Sequence, residues 1–201
     1  QILYYNITSS TNHTVEVTYQ YQETEGNYSL LTGILNIPSS VSYNGITYSV
    51  TTIGIHAFNR CRTITGVIIP NSVTVINNDA FWNCTNLLSV IIPNSISSLN
   101  ANAVFTYCTR LTSIINMNTI PQAITTLGNS ATFYDVPSNV NVYVPCSSLS
   151  AYQNSSWGNK FNNIKGFSSD TIISAHINIG NTYTLNGFNV DSTGLYINAI
   201  Q

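Results

Sequence analysis

The spacing of apolar positions changes character along this chain. Over residues 2–7 and 15–19 apolar and polar residues alternate, the pattern of half-buried strands, with a polar turn at residues 9–12 between them and a second turn at 22–27. From about residue 34 the apolar residues gather into clusters that recur at a fixed interval. Ala57-Phe58-Asn59-Arg60-Cys61, Ala80-Phe81-Trp82-Asn83-Cys84 and Ala103-Val104-Phe105-Thr106-Tyr107-Cys108 repeat one phrase, and their cysteines step by 23 and then 24 residues. Three residues after each cysteine comes an aliphatic (Ile64, Leu87, Leu111), then a β-branched run. Two of those runs end in one tetrad, Ile69-Pro70-Asn71-Ser72 and Ile92-Pro93-Asn94-Ser95. A constant period of this size predicts a solenoid, in which each coil buries its apolar face only against its neighbours.

Four segments follow: an N-terminal β cap over 1–33, repeating coils over 34–145, a C-terminal cap over 146–167, and a β-rich tail over 168–201 that has the character of a further module's start. Tyr43-Asn44-Gly45-Ile46 carries the Asn-Gly centre of a hairpin inserted in the first coil. Residues 149–152 and 157–161 predict a short helix and an aromatic plug in the cap. The tail predicts strands at 171–173, 182–185 and 194–197.

Within a coil, Ala and Phe of the repeated phrase point inward, and the phrase is long enough only for a turn or a single helical turn. Cys61, Cys84 and Cys108 fall on one interior line. They read as buried thiols acting as small hydrophobes, although stacked coils about 5 Å apart also lie near the distance window of a disulfide; Cys146 lies off the line, in the cap. His56 and Asp79 hold the same repeat position, with Asn102 next in that row. This predicts an exposed ladder worth less than about 1 kcal/mol, or a pH-sensitive one.

The strand runs give the most informative surface. With Val67 and Ile69 inward, Ile68 faces out; the same register turns out Ile91 and Ile115, and Asn36 and Tyr143 extend the row in the first and last coils. An apolar strip of this kind is a candidate ligand-binding face and a candidate homodimer interface. It is equally the packing that stabilises a sheet, or a surface covered by a terminal segment.

Composition narrows the function classes. Only 6% of the 201 residues are charged against 43% hydrophobic, and polarity is carried by Ser, Thr and 28 Asn. Five Lys+Arg and a net charge of −2 supply no cation cluster for nucleic acid or an anionic membrane surface. No apolar run reaches bilayer length, so no membrane insertion is expected. Three scattered histidines and sparse acids assemble no catalytic constellation, no Cys-x-x-Cys or calcium-loop spacing occurs, and the chain reads as a non-enzyme without cofactor or metal.

The phrase Ile53-Gly54-x-x-Ala57-Phe58-x-x-Cys61-x-x-Ile64, followed by Val67-x-Ile69-Pro70-x-Ser72-Val73, resembles the BspA-like leucine-rich repeat family, cell-surface proteins of Bacteroidetes and of some mucosal protozoa. The resemblance covers residues 34–167, and residues 144–164 are similar to the C-terminal cap of Bacteroidetes members. It departs in the third coil, which has one extra residue, and in the fourth, which lacks the Ala-Phe-x-x-Cys phrase. The resemblance implies a mainly β, right-handed leucine-rich-repeat solenoid with short helical turns and two caps, secreted or held at the cell surface. It further implies adhesion to a host protein or glycan. The expected function is therefore recognition of an extracellular protein or glycan through Asn36, Ile68, Ile91, Ile115 and Tyr143; the alternative is a structural spacer with no ligand of its own.

Overall fold

A computed structural model describes residues 2–19 and 31–167 in full, and of the remainder only the backbone strands at Ala175–Ile177, Tyr183–Leu185 and Phe188–Ser192. Strands β1 (Tyr4–Ser9) and β2 (Thr14–Thr18) form an antiparallel hairpin, in register from Tyr4 opposite Thr18 to Ile7 opposite Val15. The alternation of β2 sends Val15 and Val17 into the core and leaves its other residues half-exposed. After β3 (Gly33–Asn36), β4 (Ser40–Tyr43) and β5 (Ile46–Ile53) make the inserted hairpin. Its two-residue turn places Asn44 at φ 50° and Gly45 at φ 79°, the left-handed pair that Asn-Gly adopts at low cost. β2 runs parallel to β5, so the hairpin of β1 and β2 closes the open edge of the first coil.

Along the coils, longer strands β6 (Ile64–Ile68), β8 (Ser89–Ile92) and β10 (Ser113–Asn116) alternate with two-residue strands β7 (Val75–Ile76), β9 (Ser98–Leu99) and β11 (Ala123–Ile124). With β12 (Asn141–Pro145) and β13 (Asn163–Phe167), the longer strands build a six-stranded parallel sheet in the order β13-β12-β10-β8-β6-β3. One row of this sheet, Leu35, Val67, Val90, Ile114, Val142 and Ile164, is paired strand to strand and buried. Each such side chain contributes about 1.5–3 kcal/mol on leaving water. The hairpin insert of the first coil and the extra residue of the third lie outside these strands. Pairing runs without a shift from β6 to β13, and the one shift in this sheet is between Gly33 and Ile34 of β3. The last sequence expectations fall differently: the turn at 22–27 and the tail strands at 171–173 and 194–197 lie outside the described residues, whereas Tyr183–Leu185 is a strand, pairing with Phe188–Ser192.

Opposite the sheet, the repeated phrase forms stacked turns. Phe58, Phe81, Phe105 and Phe133 make a column with centroid spacings of 5.1, 5.2 and 5.5 Å and interplanar angles of 13°, 6° and 6°. The turn backbone bonds from coil to coil: Phe58 N–H donates to Ala80 O, Phe81 to Val104 O and Phe105 to Thr132 O, at 2.7, 3.0 and 2.8 Å. Two columns of non-glycine residues hold left-handed φ values there, His56, Asp79 and Ala103 at 54–57° and Arg60, Asn83, Tyr107 and Asp135 at 58–61°. Each costs on the order of 1–2 kcal/mol, which the cross-coil hydrogen bonds offset. Cys61, Cys84 and Cys108 are buried free thiols, so no disulfide joins the column. Cys84 and Cys108 donate to the carbonyls of Phe58 and Phe81 in the preceding coil, at 3.2 and 3.3 Å, and burial pushes the Cys84 thiol well up. Cys146 is exposed.

The C-terminal cap closes the column with two short helices, α1 (Leu149–Gln153) and α2 (Ser156–Lys160). Ser155 caps α2 through its hydroxyl, which accepts from Trp157 N–H. Trp157 and Phe161 meet the last ring, Phe133, edge to face at 5.4 and 5.2 Å. The sheet row that carries Ile92 continues with buried Asn116, whose amide donates to Gln122 Oε1 at 2.7 Å. Tyr152 OH donates to the same oxygen at 3.1 Å, and Trp157 Nε1–H to Gln122 O at 3.0 Å. The cap is thus fastened to the fourth coil by a satisfied polar knot inside an aromatic plug.

Two outcomes follow from this packing. Phe81→Ala, which removes a buried ring stacked on both faces, lowers unfolding free energy by about 3–5 kcal/mol, read from urea denaturation. Burial pushes the Tyr152 phenol up. Its folded pKa therefore exceeds the unfolded value near 10, and above about pH 10 the unfolded chain holds fewer protons and stability falls with pH. Tyr152→Phe loses about 1 kcal/mol at pH 7 but declines less steeply on going to pH 11, so the gap between the two urea midpoints narrows.

Candidate recognition face

The strand register places Asn36, Ile68, Ile91, Ile115 and Tyr143 side by side in one continuous row, extended by Lys165 of β13. They stand on the face opposite the buried row because they alternate with it along each strand. Their accessibility differs from the expectation of an open isoleucine strip. Asn36 is exposed and Ile68 and Tyr143 are half-buried, but Ile91 and Ile115 are only 4% and 3% accessible although neither belongs to the core cluster of the other face. Branched side chains at an interstrand spacing of about 4.8 Å shield one another along a row. The contiguous exposed strip is therefore replaced by a row with accessible ends and an occluded middle.

Each end has its own chemistry. At the first coil, Asn36 borders an open hollow of about 480 Å³ with Ile2, Leu3, Tyr5 and Pro38. Burial raises the Tyr5 phenol there. At the cap end the Lys165 ammonium lies 5.8 Å from the Tyr143 ring centroid, within cation–π range, and burial raises the Tyr143 phenol. Between the ends, the neighbouring outward row is small and polar: Gly66, Ser89, Ser113 and Asn141 are paired in sequence. A Cβ on Gly66 would meet Ser89 Oγ at 3.1 Å and Ile34 Cγ1 at 3.2 Å, so this row is narrow where the isoleucine row is broad.

On the turn side, His56 Nε2 and Asp79 Oδ2 are 3.4 Å apart with side chains 47% and 30% accessible. This is the exposed ladder read from the repeat, screened by water and worth little; Asn102 joins it through its backbone carbonyl, which accepts from Asp79 N–H at 2.9 Å. Among the described residues no group of three or more His, Cys, Asp or Glu is placed to hold a metal ion, and no helix is long and apolar enough to cross a membrane.

The structure also brings together residues that sequence reading passed over. Trp82, Tyr107 and Tyr134 form a second, outer aromatic line, with centroid spacings of 5.6 and 5.5 Å and rings nearly perpendicular. Arg60 stacks over Trp82 at 5.2 Å. The signal for Tyr134 was available: Ala131-Thr132-Phe133-Tyr134-Asp135-Val136 repeats the spacing of Ala103 to Cys108 with Val136 in the cysteine place.

Comparison with known proteins agrees with the repeat. The BspA type leucine rich repeat region matches residues 36–163 in six copies. A leucine-rich repeat protein from Bacteroides ovatus is 27% identical with a TM-score of 0.51, covering 72% of this chain and 36% of that one. A leucine rich cell surface protein from Faecalibacterium prausnitzii is 18% identical with a TM-score of 0.35, covering 90% of this chain and 57% of that one. The chain thus spans less than two thirds of either relative's length. No curated protein matches it. With six matched copies over most of the coils and strands in register from one copy to the next, this chain belongs to the BspA-type leucine-rich repeat family.

Proposed function

We propose that this chain is a recognition module, secreted or held at the cell surface, that contacts an extracellular protein or glycan through its sheet face. The observation that carries the reading is the register that aligns Asn36, Ile68, Ile91, Ile115 and Tyr143 in one row. Ile68 and Tyr143 provide partly accessible apolar area, Asn36 a hydrogen-bonding edge, and Ile91 and Ile115 a rigid floor. With 6% charged residues the surface has little long-range field, so selectivity comes from shape and neutral hydrogen bonds rather than steering. The burial of Ile91 and Ile115 favours a second reading, a spacer that holds a larger surface protein away from the cell.

The two readings separate on an Ile68→Glu/Tyr143→Ala double variant, assayed for capture on surfaces coated with collagen, fibronectin or mucin and for sedimentation. Recognition through the face predicts that wild type is retained on at least one coating and that the variant, with an unchanged melting temperature, loses about tenfold or more in affinity. A self-associating face predicts instead a dimer that the variant converts to monomer. Identical monomers with identical capture favour the spacer.

A further inference from the structure

The geometry points to a carbohydrate subsite in the cleft between the fourth coil's turn and α2, a site that takes one neutral pyranose residue of a glycan. The cleft encloses about 350 Å³ and is walled by Ile124, Tyr134, Asp135, Ser156, Asn159 and Lys160 among others. That volume lies at the lower end of the range of small-ligand pockets. The cleft is on the turn side, lined by none of the sheet row, so it is independent of the face proposed above.

The lining complements a sugar in both of its aspects. A pyranose presents C–H groups on its face and hydroxyls around its edge. Tyr134 supplies an aromatic wall, 38% accessible. Tyr107 holds it from the third-coil side, edge to face at 5.5 Å, which leaves the cap side of the ring to the cleft. Around this wall stand groups that donate and accept. Ser156 and Asn159 are three residues apart on α2 and so share one face of it; they offer a hydroxyl and an amide, and Asp135 offers carboxylate oxygens able to accept from adjacent sugar hydroxyls.

The charge balance selects a neutral ligand over an anionic one. The Lys160 ammonium already donates to Val136 O at 2.6 Å and lies within electrostatic reach of Asp135; burial lowers its pKa and Asp135 partly restores it. The cleft lining thus holds one cation, engaged by a backbone carbonyl, and one carboxylate, and it offers no cation cluster to a phosphate, sulfate or sialate. The Tyr107 and Trp82 rings continue from Tyr134 at intervals of 5.5 and 5.6 Å, close to the length of one sugar residue. A longer glycan leaves the cleft along that line.

The test presents the whole chain to an array of neutral, sialylated and sulfated oligosaccharides, followed by calorimetric titration with the best neutral binder. Binding of a neutral oligosaccharide is expected. Tyr134→Ala and Ser156→Trp, the latter filling the cleft from the helix, each weaken it about tenfold or more, while Tyr143→Ala on the sheet face changes it by less than about twofold. Asn159→Ala, at an exposed position of α2, provides a weakening variant that leaves the aromatic stack untouched, and melting temperatures confirm the fold of each. The proposal is overturned by any of three results: no neutral glycan bound at millimolar concentration, binding of acidic glycans alone, or neutral binding that the cleft variants leave unchanged.

Discussion

The interior phenylalanine column sets the geometry on which the other features rest. Phe58, Phe81, Phe105 and Phe133 stack with nearly parallel planes, and each ring is covered on both faces only if the next coil, or the cap, is in place. A single coil cannot bury its own ring, so the array is stable as a series and both ends require closure. The N-terminal hairpin lays Val15 and Val17 on the first coil. At the other end Trp157 and Phe161 meet Phe133 with their edges, which ends the stack because no parallel face is offered to a further coil.

The left-handed turn residues are the cost of keeping the coils narrow on that side. Holding Arg60, Asn83, Tyr107 and Asp135 at positive φ aligns alternate N–H groups with the carbonyls of the following coil. The same conformation throws the side chains next to the Phe column outward, which is how Trp82, Tyr107 and Tyr134 come to form a line on the surface. The cleft under Tyr134 then arises where this line meets α2, whose position is fixed by the bonds of Tyr152 and Trp157 to Gln122. Core packing, cap docking and the shape of the cleft are consequences of one stacking arrangement.

Much of this was legible in the chain. The 23- and 24-residue steps between cysteines gave the coil, Asn44-Gly45 gave the hairpin turn, and alternation about Ile68, Ile91 and Ile115 gave a row that the strand register reproduces. Accessibility was not legible, since alternation tells which side of a sheet a residue faces and not how closely its neighbours shield it; Ile91 and Ile115 are the instance. The fourth coil was hard to read for a physical reason too. Val136 replaces the thiol and Asn116 replaces an aliphatic in the buried row. Asn116 is satisfied there by Gln122, six residues on. The carboxamide oxygen of Gln122 also accepts from Tyr152 of the cap, a tie across 30 residues that has no local signature. The outer aromatic line has no single repeat position: Trp82 and Tyr134 directly follow their phenylalanines, whereas Tyr107 lies two residues beyond Phe105.

If the column makes coils and cap one structure, they unfold together. The chain has two tryptophans, and Trp82→Phe leaves Trp157 as the sole indole, reporting from within the cap. Urea unfolding of that variant, followed by Trp157 fluorescence and by far-ultraviolet circular dichroism, should give superimposable transitions with one midpoint. A fluorescence transition completed at lower urea than the loss of β structure would contradict the account, because the cap would then detach while the phenylalanine column stood without it.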